Sequence, residues 1–237
     1  MLVTQIIALI ALAICFVLLL SHFIRIIRLG KPKDFSEKSG SVAKGVAYSN
    51  TVAMMPQNKE SAYLHIPSYA LGMLFHIGIF TSILVFFLSF FEFFNLWLMN
   101  DHGIHYLLPL ITGVGTISGI CLFIKRLVNR NLRNLTNPDD FLSNGFTTLF
   151  QLATTLLLLM HGCSLILFLN DIETIPWNEF MPGYFCMVNT YYIIATILLL
   201  YMPVGKLKHL VYFFSARYHL GFFYGWRNVW PQKKDAE

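Results

Sequence analysis

Residues 61–97 read SAYLHIPSYALGMLFHIGIFTSILVFFLSFFEFFNLW. As a helix this run is long enough to cross the ~30 Å of hydrocarbon in a bilayer, yet it carries two histidines, His65 and His76. Imidazole is expensive in that medium and marks a site rather than filler. The two stand 11 residues apart. At about 100° per residue they fall roughly 20° apart on one helix face and about 16 Å apart along the axis. One face therefore offers two imidazoles at two depths. A haem iron takes an axial ligand from each side of its ring, so a helix of this kind suits one ligand to each of two stacked b-type haems. Other helices must then supply the partners.

Composition sets the class. Of 237 residues, 56% are hydrophobic, 16% aromatic and only 12% charged, whereas about a quarter of a soluble domain is charged. The chain reads as an all-α, multi-pass membrane protein. Cys15, Cys121, Cys163 and Cys186 lie singly in apolar runs, without the C-x-x-C spacing of zinc or iron-sulfur sites or the C-x-x-C-H of covalent haem attachment. They read as small buried hydrophobes, with a Cys163–Cys186 disulfide as the alternative.

Five spans are expected, at about 2–27, 65–95, 106–127, 145–169 and 182–203. The first is an anchor that stays, because no basic n-region or small-residue cleavage site is evident. His22, Arg25 and Arg28 recur at helical spacing at its end, where cations snorkel to the interface. Residues 29–62 hold five lysines with scattered Gly and Ser and read as a connector. Gly115 and Gly119 in ITGVGTISG would let another helix approach the third span closely. The loop before the fourth span ends in the turn-forming Asn137-Pro138-Asp139-Asp140. The fourth span holds a third intramembrane histidine, His161. Beyond the fifth come His209 and a mixed aromatic and basic tail, 206–237, suited to lying along the membrane surface or docking a partner.

All 17 Lys and Arg fall in the first loop and its flanks, the third loop, or the region after Pro203. The positive-inside rule then places the N-terminus outside and the C-terminus inside. Topology accounts for the net charge of +5, which is therefore no sign of nucleic-acid binding. His65 opens the outward-going second span and His209 closes the inward-going fifth, so the two are expected at one depth as ligands of an inner haem. His76 sits about three turns further out, and His161 is the expected partner there.

Five spans with an outer N-terminus, histidines 11 apart on the second, a basic loop ending in N-P-D-D, and MPVGKLKHLVYFF after the fifth resemble the respiratory nitrate reductase gamma-subunit family. Within that family the likeness is greatest to the membrane cytochrome b subunits of heterodisulfide reductase and of sulfate-reducer transmembrane complexes. The resemblance implies a haem-binding five-helix bundle in the cytoplasmic (inner) membrane with two b haems. It also implies exchange of electrons with a membrane quinone, an iron-sulfur partner subunit on the inner face, and other membrane or periplasmic subunits. It carries His65, His76 and His209 as iron ligands. The nitrate reductase pattern has a second histidine on the fifth helix, 18 residues earlier, where this chain has Tyr191. Either His161 replaces it as ligand, or the outer haem is altered or missing.

The reading that follows is a dihaem b-type subunit passing electrons between a quinone pool, of the menaquinone type, and the inner partner. Arg25, Arg28, Lys206, Lys208 and Arg217 are candidate cations for haem propionates or docking. Tyr191, Glu92, His102 and His105 are candidates for a quinone pocket near the outer haem. The competing class is a haem-free anchor subunit, which would be indifferent to loss of His65 or His209. A transporter would show internal repeats or charged residues mid-span, and neither is found.

Overall fold

A computed structural model describes residues 2–59, 62, 64–91, 102–169 and 177–231, with backbone alone at 102, 104, 105, 163–169 and 177–181. All regular structure among these residues is helical. Five helices are long and apolar enough to cross a membrane: α1 (Val3–Arg28), α3 (Ile66–Leu88), α4 (His102–Val128), α6 (Pro138–Leu169) and α7 (Trp177–Tyr201). Three shorter ones, α2 (Val42–Asn50), α5 (Arg130–Leu135) and α8 (His209–Trp226), gather at one end of the bundle.

The centre of the bundle is a crossing of α3 and α4 with almost no side chain between them. A Cβ added to Gly78 or Gly115 would lie 2.7 Å from the other glycine's Cα. Gln151 of α6, fully buried, wedges its amide against this crossing, Oε1 lying nearest both positions while Nε2 donates to the Phe75 carbonyl at 3.3 Å. Gly119 meets Phe75 and Thr148 in the same tight way. The glycines expected to admit a helix do so, and the helix admitted is α3. On the other flank, Phe86, Phe150, Tyr191 and Tyr192 fill the space between α3, α6 and α7, with Phe150 stacked on Tyr191 at 5.6 Å. Ala8, Ala11 and Cys15 bury the inner side of α1 in the same core. Cys15 matches the reading of cysteine as a small buried hydrophobe, but Cys121 and Cys186 are exposed free thiols; the side chain of Cys163, the other half of the alternative disulfide, lies outside the described residues.

Helix boundaries correct several expectations. The second span ends as a helix at Leu88, and residues 92–95 lie outside the described residues. The fourth begins at Pro138 rather than 145. Proline is tolerated in the first turn, and Asn137 and Asp140 cap one another through Asp140 N to Asn137 Oδ1 at 3.1 Å and Asn137 N to Asp140 Oδ2 at 3.0 Å. The fifth stops at Tyr201, whose ring covers Gly205 in the turn that follows. His209 therefore does not close the fifth span but opens α8.

The connector holds a helix as well. α2 lies along α8 with backbones nearly touching: a Cβ on Gly45 would come 2.8 Å from Gly225 N and closer still to Gly221 O, and one on Gly225 would lie 2.7 Å from Ser41 O. Ser49 and Arg217 exchange hydrogen bonds, Oγ to the Arg217 carbonyl at 2.7 Å and Nε to the Ser49 carbonyl at 2.8 Å. Ser39 and Gly40 donate their N–H groups to the Trp226 carbonyl. At the far end Arg227 Nε meets Asp34 Oδ2 at 2.8 Å. This pairing holds the Asp34 carboxyl down to about 2.

Three outcomes follow. Gly115→Ala, which drives a methyl into Gly78 and Gln151, should lower unfolding stability by about 1–3 kcal/mol, measured as thermal denaturation in detergent. Gly45→Leu should free α2 from α8 and expose residues 29–59 to limited proteolysis while the five-helix core stays protected. A lowered carboxyl pKa stabilises above the unfolded value and is lost as pH falls through the folded one. Fluorescence of Trp226 and Trp230 should therefore report loosening of the clasp from about pH 4 towards 2, and Asp34→Asn should abolish that titration.

Candidate functional site

Depth along the bundle is fixed by contacts between neighbouring helices. Phe75 of α3 meets Gln151 of α6, and further along Val85 packs with Leu158, so the two helices run in the same direction. One end of the bundle is marked by Lys125 donating to Ser68, Arg126 on Asp140, Lys206 on Asp140 and Tyr201 on Asp139. His65, at the N-cap position of α3 without a side-chain capping bond, and His209, the first residue of α8, both stand at this end.

His65, His76 and His209 are all exposed rather than packed in the core. His76 Nδ1 lies 2.6 Å from the Gly72 carbonyl, and His209 Nδ1 lies 2.9 Å from the Lys206 carbonyl. A carbonyl only accepts, so each Nδ1 is the donor, its ring orientation held by a backbone acceptor, and Nε2 is the nitrogen through which the ring could ligate a metal. Gly72, a turn before His76, leaves open space: a Cβ there would meet nothing within 4 Å. Gly72, His76 and Ile83 fall on one stripe of α3; His65 precedes the helix with φ −137° and ψ 54°, so the helix does not give it the face it was expected to share with His76. Ile83 and Phe87 in turn wall a partly open apolar pocket of about 190 Å³ with Cys15, Leu19, Ala195 and Met202.

His161 does not complete a pair with His76. It lies ten residues beyond Gln151, whereas His76 is one residue beyond Phe75, leaving them about 14 Å apart along the axes. One metal needs both nitrogens at ~2 Å. The expected pairing counted the fourth span from 145; the helix starts seven residues earlier, and His161 lies that much further from the Asp140 end of the bundle. Its Nδ1 lies 3.3 Å from the Tyr184 hydroxyl. Tyr191 is closer in depth to His76, through the Phe150 stack. It is wholly enclosed, against Phe86, Phe150 and Tyr192.

Among the candidate cations, Arg25 and Arg28 are exposed at the end of α1, Lys208 donates to the Val204 carbonyl at 3.3 Å, and Lys206 and Arg217 are engaged as described. Of the quinone candidates, Glu92 lies outside the described residues, as do the side chains of His102 and His105.

Three residues mattered more than their sequence context suggested. Gln151 is a lone amide in an apolar run, a signal of the same kind as the histidines. His22, grouped with Arg25 and Arg28 as an interfacial cation, is a bridge: Nε2 lies 3.1 Å from the Pro203 carbonyl and Nδ1 lies 3.0 Å from the Tyr212 hydroxyl. Both nitrogens are occupied, so His22 is spent on joining α1 to α8. His219, on α8, holds its Nδ1 2.8 Å from the Ser215 carbonyl and lines an open groove of about 770 Å³ between α1 and α8.

Among the described residues no three His, Cys, Asp or Glu side chains cluster as a lone metal ion would need. Iron in a porphyrin needs only one protein donor per ring face, and exposed, orientation-fixed imidazoles on an apolar flank fit that demand. No family model matches the chain, and no curated protein or solved structure matches it.

The register has a direct check. In a cysteine-free background, Val85→Cys with Leu158→Cys should cross-link readily, and His76→Cys with His161→Cys should not.

Proposed function

We propose that this chain is a b-type cytochrome subunit of a respiratory membrane complex, N-terminus outside and C-terminus inside, exchanging electrons between a membrane quinone and an iron-sulfur partner on the inner face. The observation that supports it is the state of the histidines. His76 and His209 are turned out of a filled core with Nδ1 tied to backbone carbonyls, and His65 is exposed at the same end as His209. Haem, when bound, supplies one-electron transfer within the membrane. His65 and His209 would hold one ring at the inner end, and His76 would hold a second further out, with no part for His161.

The remaining work of the chain is positioning and shielding. The Gly72 and Lys206 carbonyls hold the orientation of the two rings. The apolar flank of α3, with Ile83 and Phe87, keeps water from the outer position. Arg25 and Arg28 bring positive charge to the inner end, where propionates are to be neutralised. The joined α2 and α8, which carry Lys44, Arg217 and Arg227, form the inner platform on which the partner docks.

A pyridine haemochrome count on purified protein tests the scheme. His65→Ala and His209→Ala should each remove one haem, and the double variant should remove no more than either alone. His76→Ala should remove the other, and His161→Ala should leave both. A wild-type chain free of haem would overturn the reading in favour of a membrane anchor.

A further inference from the structure

At the inner corner of the bundle a pocket of about 360 Å³ opens between the end of α4, the short helix α5, the start of α6 and the turn after α7. Lys125, Arg126 and Lys206 bring three positive charges to it, and Asp140 brings one negative. Asp140 is already committed. Its Oδ2 accepts the Asn137 N–H of the helix cap at 3.0 Å and its Oδ1 takes Lys206 Nζ at 2.6 Å. Arg126 reaches it only at 3.8 Å and spends Nη1 on the Asp140 main-chain carbonyl at 3.2 Å. Lys125 has the Ser68 hydroxyl and, among the described residues, no carboxylate. The carboxylate side chain is 19% exposed while Arg126 and Lys206 remain 38% and 45% exposed, so the pocket turns an excess of about two positive charges towards its opening.

The rest of the wall is apolar: Leu122 on α4, and Leu132 and Leu135 on α5. α5 alternates these leucines with Arg130 and Arg133, the pattern of a helix lying in the interface plane. A cationic recess beside exposed leucines, at the level where membrane helices end, matches a molecule with an anionic head and apolar chains.

We propose that this pocket binds an anionic phospholipid, its phosphate held by Lys125, Arg126 and Lys206 and its acyl chains lying along Leu122, Leu132 and Leu135. The shared chemistry is phosphate, and the acyl chains separate a lipid from a soluble anion. Nothing in this assignment depends on the haem-binding reading.

Native mass spectrometry of the full chain with phosphatidylglycerol, phosphatidylcholine and inorganic phosphate tests it. Phosphatidylglycerol should be retained in preference to phosphatidylcholine. Lys125→Gln should weaken that retention about fivefold, the effect of one cation near an anionic surface. Asp140→Asn, which keeps an oxygen for the Asn137 cap but removes the internal negative charge, should strengthen it, the opposite of what general damage to the fold would do. Equal retention of the two lipids, or no response to either substitution, would overturn the proposal. Inorganic phosphate binding as tightly as the lipid would also overturn it, by assigning the pocket to a soluble anion.

Discussion

The close approach of α3 and α4 at Gly78 and Gly115, keyed by Gln151, is the constraint on which the rest depends. Two helices at backbone contact leave no room for a planar group between them, and the amide of a third helix fills what space remains. An amide in hydrocarbon without partners is costly, so the Nε2 bond to the Phe75 carbonyl fixes where α6 stands along α3 as well as how near. Once that level is set, Phe150 meets Tyr191, Phe86 closes over both, and the interior is full. The polar rings of α3 are thereby excluded from the core and left on its flank, where a ligand from outside the chain can reach them.

The end of the bundle around Asp140 is built differently, from charge and backbone rather than apolar packing. Asp140 caps α6 and gathers Lys206 and Arg126, which ties the ends of α4 and α7 to the start of α6. Lys125 extends the tie to α3 through Ser68, and His22 extends it to α1 through Pro203 and Tyr212. His209 is presented by this assembly. Its position follows from the break at Pro203 and Gly205, so its depth is set by the charged lattice and not by the run of the fifth span.

Much of this was legible in the sequence. Hydropathy and length gave five spans, because they depend only on residues close in the chain, whereas the helix face expected for His65 and His76 together fails because His65 stands before the helix with non-helical backbone. Glycine spacing announced a tight crossing but could not name its partner. Depth across helices was less accessible: His161 depends on where its helix begins, and the mutual cap of Asn137 and Asp140 moved that point by two turns. The pairing of α2 with α8 left no hydrophobic period to detect, since the contact is made by Gly45, Gly221 and Gly225 through their backbones. The roles of Gln151 and His22 are tertiary in the same sense, set by carbonyls far away in the chain.

The central claim is that imidazoles excluded from a filled core serve as iron ligands at two depths, with a complete pair only at the inner one. Electron paramagnetic resonance of the oxidised, purified protein tests this most directly. A low-spin ferric signal that vanishes in His209→Ala, beside a second ferric signal that survives in His161→Ala and is lost in His76→Ala, is the predicted result. A spectrum without ferric haem, or one in which the outer signal disappears with His161, would contradict it.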